Sequence, residues 1–137
     1  MKKYLGVKIV SAEPQVKKGI PANEETENEI GKDPVEIDGY KVVYTDGYES
    51  WSPADVFEEA YRPIDGLNFG LAIESMKKGF SVSRKGWNNP TISCRIQTPD
   101  EFSKMTKPYI YMIKGEDKFP LDLSCESILA EDWFIID

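Results

Sequence analysis

The stretch LNFGLAIESMKKGFSVSRKGW, residues 67–87, decides the fold. Asn68 is a plausible N-cap, and Phe69, Ala72, Ile73 and Met76 recur at i, i+3, i+4 and i+7, the apolar face of a helix. Lys77 and Lys78 fall in the last turn, where cations suit the helix dipole, and Gly79 supplies a left-handed stop. Phe80, Val82 and Arg84 then follow at strand spacing on one face, with Ser81, Ser83 and Lys85 on the other. Arg84 therefore shares a side with two apolar residues. A guanidinium there needs a partner, because burying it alone costs several kcal/mol. Either a carboxylate of this chain, Asp132 among them, or the anion of a ligand fills that role. Trp87 and Asn88 place a flat aromatic and an amide beside the two cations.

Towards the C-terminus, Asn88-Asn89-Pro90 is a turn, and residues 91–97 alternate, with Ile92, Cys94 and Ile96 on one face. Cys94 there reads as an inert small hydrophobe. Residues 98–108 form a polar connection with a helical turn near Asp100. Residues 108–113 make a strand that turns back through Gly115 into residues 119–123. Ser124 caps a short helix ending near Ala130, and residues 133–136 close the sheet.

The first half is less regular. Residues 4–13 read as a strand, with Leu5, Val7 and Ile9 on one face and Lys8 on the other. Residues 14–38 are polar, acidic and interrupted by three prolines, the composition of a long loop. Residues 39–44 favour a strand, Thr45-Asp46-Gly47 a hairpin turn, and residues 48–51 the return strand. Ser52 as N-cap and Pro53 at the first helical position start a helix to about Tyr61. Val56, Phe57, Ala60 and Tyr61 form its expected buried stripe, and Tyr48 and Trp51 its packing partners.

The predicted class is α+β: an antiparallel meandering sheet packed with one main helix, plus a small strand–hairpin–helix subdomain. The expected division is an extension over residues 1–65, with an acidic loop at about 14–38, and a ligand-binding domain over residues 66–137. No Walker loop or GxGxxG occurs, so a nucleotide-cofactor fold is not indicated.

The chain of 137 residues carries a net charge of −7, which argues against a general nucleic-acid binder. The acidity lies in residues 1–65, where 8 Lys/Arg face 14 Asp/Glu; residues 66–137 are near balance at 9 against 10. Lys77, Lys78, Arg84 and Lys85 form a local basic group that suits a small anion. There is no histidine, which removes the commonest general base, the commonest metal ligand and every His-based triad. The two cysteines form no CxxC pair, so a zinc site is not expected. No apolar run approaches the roughly 18 residues of a membrane span, and the opening residues lack the features of a signal peptide. Cytoplasmic localisation, with reduced thiols, is the expectation.

Three blocks carry a family resemblance: Asn68-Phe69-Gly70 with Ala72 and Gly79; Arg84-Lys85-Gly86-Trp87-Asn88; and Ile128-Leu129-Ala130-Glu131-Asp132-Trp133. In this order and spacing they resemble a family of small phage proteins, Thoeris anti-defence protein 2, over residues 67–137. The resemblance implies a non-enzymatic sponge with no cofactor. It would act in the cytosol of the bacterial host, as a homo-oligomer (typically a tetramer) with pockets between protomers. The implied ligand is a cyclic ADP-ribose isomer made by TIR-domain enzymes, with cyclic dinucleotides as a second class. By motif position the implied ligand-binding residues are Asn68, Phe69, Arg84, Trp87 and Asn88, then Ser124, Asp132 and Trp133. The chain departs from the family pattern at Leu121, where a tryptophan is usual, at Cys125, where glutamine is usual, and at Ser127, where aspartate is common.

The residue chemistry fits such a site. A tryptophan face can stack adenine for about 1–3 kcal/mol per base, an arginine fork suits a diphosphate, and Asn88 can read a base edge. Each residue also has a structural reading: Phe69 and Trp133 as core, Arg84 in an internal ion pair, Asp132 as its partner or a cap. Two other function classes stand beside the sponge. One is an interaction module that inhibits a host protein through the acidic first half; the other is a nucleotide-signal hydrolase using carboxylates.

Overall fold

A computed structural model of the chain describes residues 1–19 and 34–136. They divide into two compact units, Met1–Tyr61 and Arg62–Asp137. The acidic run from Glu24 to Glu29 lies outside the described residues. Among the described residues the strands are antiparallel and accompany three α-helices, an α+β fold.

In the first unit, strands β1 (Ser11–Pro14), β4 (Gly39–Val43) and β5 (Glu49–Pro53) form one sheet in the order β1-β4-β5, and β2 (Lys17–Gly19) pairs with β3 (Val35–Ile37) as a separate ribbon. Part of the span read as a loop is thus strand. The expected strand over residues 4–13 shrinks to β1, and residues 4–10 are outside any strand. Its partner explains why. Tyr44 directs both backbone groups into the β4–β5 hairpin, its N–H donating to the Tyr48 carbonyl and its carbonyl accepting from the Gly47 N–H, each at 2.9 Å, and the next residue that would face β1, Thr45, is already in the turn. The ladder between β1 and β4 ends at Ser11 opposite Val43, and no further rung exists upstream.

Helix α1 (Ala54–Ala60) starts one residue later than expected, with Pro53 at the N-cap and no side-chain cap. Ser52 instead stays in β5 opposite Tyr40. The expected buried stripe is not formed, since no α1 residue is buried and Val56 is exposed. Two of its members instead join an aromatic column, in which Phe57 lies 4.3 Å from the Tyr40 ring and 4.8 Å from the Tyr61 ring. Tyr48 is likewise exposed rather than core. Trp51 covers Gly39 so closely that a β-carbon on that glycine would overlap the indole and the Ser52 carbonyl.

The second unit carries the larger core. Helix α2 (Phe69–Lys77) begins at Asn68, whose Oδ1 accepts from the Leu71 N–H at 2.9 Å, and is followed by Gly79 at φ +96°. Ala72, Ser75 and Met76 are its buried residues. The five-stranded sheet runs β10-β6-β7-β8-β9, from β6 (Ser81–Arg84), β7 (Ile92–Gln97), β8 (Tyr109–Lys114), β9 (Asp117–Pro120) and β10 (Trp133–Ile136). Strands β6 to β9 meander, and β10 returns to lie beside β6. Helix α3 (Cys125–Leu129) has Ser124 as its N-cap, as read from the sequence.

One sheet face packs on α2. Val82 opposes Cys94, which opposes Met112, and these three with Leu67, Ala72, Met76 and Trp133 make the core. The outer edge of β10 is covered, because Leu67 and Trp133 exchange backbone hydrogen bonds at 2.8 and 3.0 Å and the Ile135 N–H donates to the Ile64 carbonyl at 3.0 Å. Residues 62–66 thereby belong with the second unit. Asp100 and Ser103 close a turn without a helix.

Burial pushes the Cys94 thiol up to about 12, whereas Cys125 is exposed. A maleimide at pH 7.5 is expected to modify one thiol of the native protein, Cys125, and both only in urea. Mass spectrometry of the labelled peptides checks this; labelling of Cys94 in the native protein would show that the core opens there.

Candidate functional site

Strands β6 and β10 are paired so that Trp133 lies opposite Arg84. The same pairing brings Asp132, one residue before β10, against the start of the single 3-10 turn Lys85–Trp87. The Lys85 N–H donates to the Asp132 carbonyl at 3.2 Å, and the Gly86 N–H donates to Asp132 Oδ2 at 2.7 Å. Arg84 Nε donates to Asp132 Oδ1 at 2.7 Å and Nη2 to Oδ2 at 3.3 Å, the two-pronged geometry that makes arginine–carboxylate pairs strong. Of the two partners open to Arg84 in the sequence, the carboxylate of its own chain holds it.

Ser127 joins the helix α3 end to this pair. Arg84 Nη1 donates to the Ser127 hydroxyl at 2.9 Å, and the Trp87 indole N–H donates to the same oxygen at 3.3 Å. The Trp133 indole N–H donates to the Ser127 carbonyl at 2.9 Å. The residue is 4% exposed, so each of these bonds replaces one that water would otherwise make. Helix α3 is placed by its cap: the Ser127 N–H donates to the Ser124 Oγ at 3.2 Å. Ser127 is a neutral acceptor for Arg84, whose charge is met by Asp132 and, at longer range, by Glu126.

The aromatic residues complete the cluster. Trp133 is fully buried, with Phe69 tilted against it at 5.1 Å and Trp87 edge-on at 5.1 Å. Gly86 is required by close approach: a β-carbon there would lie 2.5 Å from Arg84 Nη2 and 2.8 Å from Asp132 Oδ2. Phe69, Arg84, Trp87, Ser127, Asp132 and Trp133 thus form one connected group.

The remaining sequence candidates rim it. Asn68 is exposed and used as the α2 cap, Ser124 is exposed and used as the α3 cap, and Asn88 is exposed at φ +50°. Lys85 reaches Asp65 at 3.4 Å, an exposed pair of little energetic weight. Lys77 pairs with Glu74 at 3.3 Å on the helix surface.

A second feature of the same unit was not singled out from the sequence. A groove of about 580 Å³ runs along β8 and β9, lined by Gln97, Met105, Tyr109, Tyr111, Lys118 and Leu121 among others. Its volume falls in the range of small-molecule sites, about 300–1,000 Å³. Tyr109 and Tyr111 stand two apart on β8 with ring centroids 6.5 Å apart, and Gln97 lies opposite Tyr109. The period-two tyrosines were visible in the sequence, but only strand pairing brings Gln97 and the β9 residues to them. Leu121, one of the departures from the family pattern, is in this lining.

Among the described residues, no group of three or more His, Cys, Asp or Glu side chains is placed to hold a metal ion, and no helix is long and apolar enough to cross a membrane. What the second unit offers is a short strand, a tight glycine turn and a helix cap clamped by one ion pair at one side of the sheet, and an aromatic groove along β8 and β9 toward the other. Its fold is that of a small α+β domain. A family model described as a Tad2-like, Thoeris anti-defense 2-like domain matches residues 67–136, and the chain belongs to that family. The family assigns it a Thoeris anti-defence role. No curated protein matches the chain.

The hydrogen bonds from Arg84, then the Gly86 N–H, hold the Asp132 carboxyl below its usual range, and the bond to Asp132 raises the Arg84 pKa against the opposing effect of burial. A carboxylate with a depressed folded pKa stabilises the fold above its unfolded value, about 3.9, and that stability is lost as pH falls through the folded value. Asp132→Asn is therefore expected to flatten the acid limb of the stability curve below about pH 4, followed by urea unfolding across pH. Arg84→Ala removes the charged donor from Asp132, which keeps only the Gly86 N–H, and one of the donors to Ser127. It is expected to cost toward the lower end of about 3–5 kcal/mol, because Asp132 keeps 31% of its side chain exposed. An unchanged urea midpoint in Arg84→Ala would remove the pair from its structural role.

Proposed function

We propose that the domain at residues 67–136 silences a bacterial defence by binding its diffusible cyclic nucleotide signal and holding it without breaking a bond. The ligand is a cyclic ADP-ribose isomer made by TIR enzymes, with cyclic dinucleotides as the related class. The family match over these residues carries the reading. The site chemistry supports it. Nucleobases need flat faces, and Trp87, Tyr109 and Tyr111 supply them with part of each ring accessible. Phosphates need cations, and Lys85 and Lys118 are exposed near the 3-10 turn and the groove respectively. The chain has no histidine, the side chain most used for proton transfer near neutral pH.

On this reading the eight residues singled out by motif divide by task. Asn68, Phe69, Trp87, Asn88 and Ser124 keep surface for ligand contact, whereas Arg84, Asp132 and Trp133 hold the wall behind them. The protein works as a homo-oligomer in the host cytosol, a tetramer by family resemblance, with pockets between protomers. An adenine stacked on one face and a diphosphate beside a lysine need no general acid or base, which is why sequestration fits better than hydrolysis.

Calorimetry with a panel of cyclic ADP-ribose isomers and cyclic dinucleotides tests this. One member is expected to bind, and Trp87→Ala or Tyr111→Ala to weaken it by about 1–3 kcal/mol, roughly fivefold to more than a hundredfold. The two variants discriminate the 3-10 turn from the groove, since the wall that contacts the base is the one whose variant loses affinity. No binding of any panel member, with a host protein co-purifying instead, would replace the proposal with an interaction module.

A further inference from the structure

The first ten residues make a surface that the described part of the chain does not use. Residues 4–10 read Tyr-Leu-Gly-Val-Lys-Ile-Val, with strand alternation. Leu5 is 97% exposed, Val7 40% and Ile9 36%. The opposite face is anchored: Lys8 Nζ sits 4.1 Å from the centre of the Tyr44 ring. Strand β4 does not extend to pair with this segment, because the next residue that would face β1, Thr45, is already in the hairpin turn. A β-patterned segment, continuous with edge strand β1, is thus left with open backbone donors and acceptors and an apolar row facing water. Unpaired edges of this kind are templates for another strand.

The sequence of the segment says which strand. We propose that residues 4–10 pair antiparallel with the same residues of a second copy, about a two-fold axis through Val7. In that register Tyr4 lies opposite Val10, Leu5 opposite Ile9, Val7 opposite itself and Gly6 opposite Lys8. Every apolar residue of the row meets an apolar residue, and the aromatic meets a β-branched partner, pairs that stabilise sheets. Each Lys8 meets a glycine. Centring the axis on Lys8 instead would set two lysines face to face, and any register shifted by one residue would set the apolar row against Lys8 and Gly6. The interface is isologous, as a two-fold dimer requires. A lone two-stranded ribbon is marginal, but here each strand continues into β1 and so into a three-stranded sheet.

This self-pairing belongs to the first unit and does not depend on the ligand reading. Disulfide trapping in the full-length chain tests it, in a Cys125→Ser background that leaves only the buried Cys94. Paired Cα atoms across an antiparallel ladder are about 4.5–5.5 Å apart, within disulfide range. Val7→Cys is expected to give a covalent dimer under mild oxidation. Leu5→Cys is not, because the two copies of residue 5 lie roughly 14 Å apart along the ribbon. Chains with Leu5→Cys mixed with chains carrying Ile9→Cys are expected to form a mixed dimer that neither forms alone. Monomer in all these reactions, or crosslinking at residues 5, 7 and 9 alike, would overturn the proposal.

Discussion

The fork between Arg84 and Asp132 is the constraint on which the second unit depends. It joins the end of β6 to the residue before β10, and through Ser127 it fixes helix α3 on the same point. Because Asp132 also accepts from the Gly86 N–H, the tight turn that presents Trp87 is set by the same carboxylate. Two stretches distant in sequence, residues 84–87 and 124–133, share one charge pair. A buried ion pair contributes little net stability over an apolar replacement, yet removing one partner is costly. Its value here is positional: it defines where the Lys85–Trp87 turn and the α3 cap stand relative to the sheet.

Much of this was legible in residues 67–87. The cap at Asn68, the helical period, the stop at Gly79 and the strand that follows are each local chemistry, and the structure has them in place. Arg84 was legible as an anomaly, a guanidinium on an apolar face, and Asp132 as one candidate partner. The hub at Ser127 was not. A serine three residues into a short helix carries no signal of such a role, which comes from four side-chain donors converging on its hydroxyl and carbonyl. Gly86 was equally silent, since its need is for space beside the fork rather than for an unusual φ.

The errors fall where long-range pairing overrides local preference. Residues 4–10 have a strand pattern but no strand, because their neighbour turns away one residue too soon. Ser52 has the chemistry of a cap, yet it stays in β5 because Tyr40 pairs with it. The β8–β9 groove depends on which strands lie side by side, which alternation along one strand cannot state. Its tyrosines and Leu121 meet only through that pairing.

Family membership fixes the anti-defence role, and the account built on it is one of capture rather than chemistry. The most direct measurement is recovery of the ligand. The protein is incubated with the cyclic nucleotide that calorimetry selects, washed, denatured by heat, and the released nucleotide is quantified by chromatography and mass spectrometry against an identically heated protein-free sample. Sequestration predicts intact cyclic ligand in full yield, stoichiometric with the protein. A linear or cleaved product that accumulates with time would contradict it and make the domain an enzyme.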